Sequence, residues 1–556
     1  MEKKKNWILW GLAWLVNIKM IFLDYGADSG YVFAMSQRLL DGDGMFREMW
    51  EPHQTSAFAL AFLMRIYEWI VPSRTGLVVG IHFMMAVVFF AISLFLAKNL
   101  SRFVEEGLAQ LAGFLFFVMR AKMVQVPDYS NLSTIFTVFL FLFLIRYFLG
   151  GKKVADLLLA AVSLCLAVLA YPSCLILYVP CVIILFLYSE KKWRDFFTFS
   201  ACCMAAGAAY VGFFAWLRGP ATFLETLLKI WRTDSHSQQR TYVGYAYFEE
   251  LIIGLIAAGV CFLIAAAVLS LLGRSGRKKS DLMTWGSAAM AAGLCLTRIL
   301  LPQLSENPNL GIWALGNVAV FLAILAGLFG IRKLNAQEKM VYVTGMLLAA
   351  GTFVAVALLT NLPLITILGY LYLAVIVSFL PIRRLAAGKE ESDGELSAPA
   401  KAKAYVPLFC VVAVLLFSQA YLNLNQAQNY VRKGPLFGVV TTLEKCNRVK
   451  YGIAEWEAKV SERDQVLIIQ EFALDPMDYL SVKTGIATHS TISTPTYSEK
   501  MQEYWQIYPE KEPTVMAVPC WNGQENGAMP SWLREKLDQE YELHDAGTYW
   551  NFYFKK

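Results

Sequence analysis

Acidic, imidazole and guanidinium side chains gather at a few places in this chain, and each place adjoins a long apolar run. The first is Asp24-Tyr-Gly-Ala-Asp28-Ser-Gly-Tyr31, directly after an apolar stretch. A carboxylate there sits at the edge of an apolar phase and can take a proton. It avoids the cost of about 3 kcal/mol or more for a charge in hydrocarbon. A helix cap or a solvated loop residue is the other reading of Asp28. The second place is Val126-Pro-Asp128-Tyr-Ser-Asn131. Asp-x-x-Asn ahead of an apolar run also makes a good helix N-cap, so Asp128 carries both readings. Histidine is rare, with five in 556 residues. Two stand in polar segments of this kind: His53 in Trp50-Glu-Pro-His-Gln-Thr-Ser56, and His236 in Trp231-Arg-Thr-Asp-Ser-His-Ser-Gln-Gln-Arg240. Each alone is ordinarily a hydrogen-bonded surface histidine. Together with nearby carboxylates they are candidates to hold a divalent metal ion.

The elements that must position these residues are apolar helices. Hydrophobic residues make up 57% of the chain and charged residues 17%, against roughly 25% charged in soluble domains. Apolar blocks of about 20 residues recur, each long enough to cross a bilayer. A soluble enzyme, a disordered scaffold and a secreted disulfide mini-protein are excluded. So is a β-barrel, which would alternate weakly instead of running apolar. The net charge of +6 comes from basic residues in short loops between apolar blocks, a pattern of membrane orientation and not of nucleic-acid binding. Most of the ten cysteines lie in apolar segments and no CxxC pair occurs, which removes zinc-finger and thioredoxin readings.

The expected fold is an α-helical polytopic membrane protein of about thirteen spans with a small C-terminal α/β domain. The spans fall near 7–23, 76–97, 108–125, 131–149, 154–170, 174–188, 197–217, 249–272, 281–301, 310–330, 340–359, 362–380 and 404–421. The first reads as an uncleaved helix, because Lys19 and Asp24 follow it in place of a small-residue cleavage site. The stretch 55–71, short and carrying Arg65 and Glu68, reads as an interfacial helix. With that choice Lys3 to Lys5, Lys98, Arg102, Lys152, Lys153, Lys191, Lys192, Arg194, Arg274, Lys279, Arg332, Lys333, Arg383 and Arg384 fall on one side, the cytoplasmic one. The N-terminus is then inside and the C-terminus outside the plasma membrane. Residues 1–421 form the membrane domain, and the outer face carries loop 24–75, turn 121–130, loop 218–248 and a tail, 422–556. In the tail, 466–469 and 515–518 read as strands, and 439–460 and 531–541 as helical. No Gly-rich phosphate loop follows its strands, which makes nucleotide binding there a weak reading.

Taken in order, the motifs resemble a known family. A first helix, Asp28-x-Gly-Tyr, an amphipathic helix ending Leu39-Leu-Asp-Gly42, and a Pro-containing motif before an interfacial helix resemble the first outer loop of the GT-C integral-membrane glycosyltransferases. The branch they are most similar to holds protein O-mannosyltransferases and the bacterial aminoarabinose transferase of lipid A. Arg120 with Pro127-Asp-Tyr129 resembles that branch's second acidic turn, and Leu169-Ala-Tyr-Pro-Ser173 its helix break before the sixth span. Gly434-Pro-Leu-Phe-Gly438 and Tyr504-Trp-Gln-Ile-Tyr-Pro509 in the tail resemble exported domains of Firmicute members. The chain departs from the family at Ser29, where an acid is usual. It departs again at His53-Gln54-Thr55-Ser56, which lacks the family's double proline and lysine.

The resemblance implies transfer of a sugar from a polyprenyl-phosphate donor to a glycan, lipid or protein acceptor on the outer face. Asp28 would be the general base and Asp128 the second acid. His53, Gln54 and Arg240 would meet the donor phosphate, and His53 and His236 are the residues for a metal. Inversion at the anomeric carbon follows where no covalent nucleophile is used. A flippase or transporter of lipid-linked glycans is the competing reading. It would place ionisable groups or broken helices near mid-membrane, whereas here the polar residues gather at one surface.

Overall fold

The computed structural model describes residues 2–23, 27–51, 53–119, 125–232, 244–271, 279–304, 310–359, 370–387, 398–420, 428–461, 463–469, 485–486, 495–521, 523–525 and 529–556. A helix covers all or part of every apolar block read from the sequence. In chain order they are α1 (Glu2–Phe22), α2 (Ala27–Leu40), α3 (Gln54–Ile70), α4 (Leu77–Leu100), α5 (Glu106–Val118), α6 (Tyr129–Leu149), α7 (Val154–Ala170), α8 (Tyr178–Tyr188), α9 (Lys192–Arg218), α10 (Pro220–Arg232), α11 (Gly244–Leu271), α12 (Lys279–Leu304), α13 (Leu310–Gly330), α14 (Ala336–Leu359), α15 (Tyr372–Ala387) and α16 (Ala398–Ala420). Among the described residues, five helical stretches are long and apolar enough to cross a membrane: Leu77–Leu100, Tyr129–Leu149, Lys192–Arg218, Gly316–Lys333 and Ala336–Ala357. Shorter apolar helices accompany them, among them Trp7–Phe22, Glu106–Val118 and Val154–Ala170.

Two boundaries differ from expectation. The helix expected over 108–125 stops at Val118, and Met119 is extended at φ −93°, ψ 139°; the cations Arg120 and Lys122 follow directly. Of the helix expected over 362–380, residues 362–369 lie outside the described residues, and the described helix runs from Tyr372 on to Ala387. From Tyr372 to Arg383 α15 is buried without interruption, as expected of a helix apolar on every side at the centre of a bundle. By contrast α9 leaves Met204, Val211, Phe213 and Trp216 exposed, a surface suited to lipid. α3 buries Ala57, Leu60, Ala61 and Met64 and exposes Phe58, Phe62 and Trp69, so its two faces are apolar for different reasons: one meets protein and the other lies open.

The loop expected over 218–248 contains a helix the sequence reading did not place. Gly219, at φ 84°, ends α9, and Pro220 opens α10 with its fixed φ. α10 then turns Phe223 and Thr226 inward. Phe223 packs with Phe46 of the first loop and Phe214 of α9, at ring separations of 5.1 and 6.2 Å.

The tail carries short strands β1 (Asn429–Tyr430) and β2 (Val440–Thr441), helix α17 (Leu443–Asn447), a π turn at Arg448–Gly452, α18 (Ile453–Lys459), β3 (Gln465–Ile468), β4 (Gly485–Ile486), α19 (Pro495–Ile507), β5 (Val515–Trp521), β6 (Gln524–Glu525), α20 (Ser531–Glu540), β7 (Tyr541–Ala546) and β8 (Trp550–Lys555). The main sheet runs β4-β3-β5-β8-β7, with β6 paired to β5. β4, β3 and β5 are parallel, and β5, β8 and β7 antiparallel. The two-residue period of a strand splits its side chains between two cores. Val466, Ile468, Val515 and Ala517 pack with Trp456, Trp550 and Phe552. Leu467, Ile469, Met516 and Val518 pack with Tyr504, Trp505, Leu533 and Leu537.

The tail and the first loop interlock. The N–H groups of Gly76 and Val78 donate to the carbonyls of Gly434 and Pro435 at 3.0 and 3.1 Å. Leu23 bridges Val440. Trp50 of the first loop is buried within the tail's Leu467–Tyr504–Met516 core.

Candidate active site

Three segments distant in sequence meet at His53, and α2 lies ahead of them in the first loop. α2 carries Asp28 and Ser29 in its first turn, and Ser29 is fully buried. After α2 the chain turns at Gly42, whose φ of 102° favours glycine. It returns past Trp50 and Glu51 to His53, the residue before α3. There the His53 ring stacks on Tyr129 with centroids 4.2 Å apart and planes at 19°. It meets Tyr171 edge on at 5.1 Å and 70°, and Tyr129 and Tyr171 are 5.2 Å apart. The first loop, the Pro127-Asp-Tyr turn and the break after α7 therefore meet at one imidazole. The break itself is a 3-10 turn, Pro172–Leu177, opened by a proline at its first position.

Asp128 does what the Asp-x-x-Asn pattern suggests. It is fully buried and caps α6: the Asn131 N–H donates to Oδ1 at 2.8 Å and the Ser130 hydroxyl to Oδ2 at 2.6 Å. A carboxylate at this place also meets the positive end of the α6 dipole. The cap fixes the first turn of α6, and with it Tyr129 against His53. Gln54 is buried and engaged with its own loop. Its Oε1 accepts the Phe46 N–H at 2.9 Å and its Nε2 donates to the Glu51 carbonyl at 3.0 Å. Arg240 and His236 lie outside the described residues, and Asp28 is described only through its place in the α2 backbone. Among the described residues no three His, Cys, Asp or Glu side chains stand close enough to share a metal ion, and His53 is flanked by tyrosine rings.

Three buried polar residues close in sequence to these motifs stand out. Gln125, Ser29 and Ser173 are buried, and their side-chain polar atoms have no hydrogen-bond partner among the described residues. Such groups are costly unless something else satisfies them. Gln125 lies four residues before Tyr129, Ser173 two after Tyr171, and Ser29 next to Asp28.

Arg38 is the second surprise. A helix arginine is ordinarily solvated, yet this one is fully buried. Its Nε donates to Asp43 Oδ2 at 2.8 Å and its NH2 to the Glu48 carbonyl at 2.9 Å. Lys511 of the tail donates to the other Asp43 oxygen at 2.7 Å. Burial alone would push the Asp43 carboxyl up; Arg38 and Lys511 outweigh it and hold the group below the ordinary carboxylate range. Burial likewise opposes the charge on Arg38, but Asp43, with Tyr504 and Glu51 nearby, raises its pKa above the usual guanidinium value. Arg218, at the end of α9, donates to the Met45 carbonyl at 2.9 Å, so the first loop is also fastened to the bundle.

No described family and no curated protein is detectably similar to the chain. Among solved structures it is similar to the Archaeoglobus fulgidus oligosaccharyltransferase tethered with an acceptor peptide containing the NVT sequon, with a TM-score of 0.48 and 12% identity over 93% of this chain and 69% of that one. It is also similar to ArnT from Cupriavidus metallidurans bound to undecaprenyl phosphate, with a TM-score of 0.47 and 11% identity over 98% and 97% of the two chains. A second structure of the archaeal enzyme, AglB with an inhibitory peptide and a dolichol-phosphate, gives 0.43 and 9% over 93% and 70%. At these identities, and with TM-scores below 0.5, the likeness fixes neither activity nor site.

Proposed function

We propose that this protein is a multi-pass membrane glycosyltransferase of the GT-C kind, moving a sugar from a polyprenyl-phosphate donor to an acceptor on the outer face of the plasma membrane. The observation that carries the reading is the convergence on His53: the three motifs that resemble the family's loops, separated by long apolar helices, bring Tyr129 and Tyr171 to one ring. The site adjoins apolar helices, where a donor with a lipid tail and a polar head finds both its environments. In this reading about thirteen helices span the membrane, with the N-terminus inside and the tail outside.

Asp28 takes the proton of the acceptor hydroxyl, whose oxygen attacks the anomeric carbon as the bond to the lipid phosphate breaks. The configuration inverts, because the acceptor displaces the phosphate directly. Arg240 and His53 offset the charge that grows on the leaving phosphate. Gln54 contributes its remaining amide N–H, the others of its bonds shaping the loop. Asp128 serves by its charge and by seating Tyr129. His53 and His236 are the residues that would hold a divalent ion, whose chemistry would be to stabilise the same phosphate charge; chelation tests that part alone. Buried, unpartnered Gln125, Ser29 and Ser173 offer donors and acceptors for sugar hydroxyls. The acceptor is a glycan, a lipid or a protein, and the sugar a hexose or pentose.

The test is transfer of radiolabel from a polyprenyl-phosphate sugar by the purified full chain in liposomes. Label reaching an acceptor supports the reading. Donor that merely changes leaflet, with the sugar still attached, would show a flippase instead.

A further inference from the structure

At the end of the bundle away from the tail lies a cavity of about 370 Å³ that the site above does not use. α4 fixes its place. The helix begins beside tail residues Gly434 and Pro435 and runs 24 residues, about 36 Å at 1.5 Å per residue, which matches a bilayer's hydrocarbon thickness. Arg102 follows directly and lines the cavity, together with Arg383 and Arg384 from the end of α15 and the carboxylates Glu105 and Glu338.

The charges in this cavity do not balance. Arg384 holds Glu338 through NH2 at 2.8 Å and Nε at 3.2 Å. Glu105 is shared, with Arg383 Nε at 2.5 Å and Lys401 Nζ at 3.0 Å. Arg102 is exposed and has no ion-pair partner among the described residues. Three guanidinium groups thus line the cavity with two carboxylates, and Lys401 reaches Glu105 from outside the lining. The first turns of α5 and α14 also open here, since Glu105 immediately precedes α5, Asn335 immediately precedes α14, and Gln337 and Glu338 lie in the first turn of α14. Their N-terminal dipole ends add to the positive field. Phe103 and Val104 supply an apolar wall. A concave site with excess guanidinium, at the depth where apolar helices end, matches a phosphate group attached to something partly apolar or standing free, because planar guanidinium donors pair with phosphate oxygens.

We propose that this cavity binds a phosphate group, from an anionic phospholipid headgroup or from a soluble phosphate. The site is independent of the glycosyltransferase reading and lies at the opposite end of the molecule.

The test uses the purified full chain in neutral detergent. Phosphatidylglycerol is titrated into the micelles against phosphatidylcholine as the zwitterionic control, and inorganic phosphate is titrated separately, with binding read by thermal shift. The expected result is saturable stabilisation by at least one anionic probe. Response to phosphatidylglycerol alone identifies the lipid source, and response to inorganic phosphate the soluble one. Arg102→Gln, at an exposed residue outside the ion pairs, weakens that binding about tenfold. Glu105→Gln, which releases Arg383 and Lys401 from a competing carboxylate, tightens it several-fold, a change that damage to the fold does not produce. No saturable response to either anion, or equal affinity in wild type, Arg102→Gln and Glu105→Gln, overturns the proposal.

Discussion

Trp50 of the first loop meets Tyr504 of the tail edge to face, ring centroids 5.3 Å apart and planes at 90°. Lys229 of α10 lies over the same indole, 4.8 Å from the ring centroid, and pairs with Glu503 at 3.0 Å. The segment joining α2 to His53 is therefore held by the tail's own core, and the tail shares in shaping the site. Trp50→Ala should cost about 3–5 kcal/mol, as large-to-small changes at buried aromatics do. It should also free the tail to proteolysis in the full-length protein. Trp50→Phe should recover most of the loss. An Ala variant with wild-type denaturant midpoint and protease resistance would show that the interlock contributes nothing.

Asp43 joins buried Arg38 to Lys511. Removing the carboxylate leaves a guanidinium buried without its partner, a loss of about 3–5 kcal/mol. Asp43→Asn should thus destabilise far more than Lys511→Met, which removes the more exposed cation. The pH dependence follows in sign. Asp43 has a folded pKa below its ordinary 3.8, so its contribution is complete above about pH 4 and is lost as pH falls through the folded value. Wild type should lose stability in that range in a melting series, and Asp43→Asn should give a flatter profile there. Identical profiles would remove Asp43 from the account.

Asp128 separates capping from chemistry. Asp128→Ala should cost about 0.5–2 kcal/mol, the ordinary price of an N-cap. Asp128→Asn keeps an oxygen for the Asn131 N–H and should stay within about 1 kcal/mol of wild type. Its transfer rate should nevertheless fall at least tenfold, because the proposed function uses the charge. Full transfer by the amide would make Asp128 a cap and nothing more.

His53 can be divided in the same way. His53→Phe keeps a ring against Tyr129 and Tyr171, whereas His53→Ala loses stacking worth about 0.5–1.5 kcal/mol per pair. Melting should distinguish the two variants, and transfer should fall in both, since neither keeps a ring nitrogen for the phosphate. Transfer that tracks stability alone would assign His53 to packing.

Much of this was legible in the sequence. Apolar runs of helical length announced the bundle, because burial in lipid or protein demands them whatever the neighbours are. The cap at Asp128 was legible from Asp-x-x-Asn, and the break at Tyr171-Pro172 from the resemblance of Leu169-Ala-Tyr-Pro-Ser173 to the family's pattern. The strands at 465–468 and 515–521 showed as short apolar runs. What stayed hidden depends on contacts distant in the chain. Nothing local to Trp50 says that its indole enters the tail's core, and nothing local to Arg38 says that a helix arginine is dry. α10 was missed because its apolar residues are interleaved with polar ones inside a segment read as a loop. The hairpin of β7 and β8 was missed because Glu542 and Asp545 interrupt the alternation of its first strand. The site shows the same division: its motifs could be read singly, but their meeting at His53 is a product of helix packing.

The central claim is that Asp28 withdraws a proton from an acceptor hydroxyl. Its most direct measurement compares sugar transfer from a polyprenyl-phosphate donor by wild type and Asp28→Asn, in liposomes, beside donor binding and melting of both. Wild type should transfer sugar. The amide variant should bind donor and melt like wild type, yet lose transfer by at least a hundredfold, the lower range for loss of a general base. An Asp28→Asn protein that transfers at the wild-type rate would contradict the account.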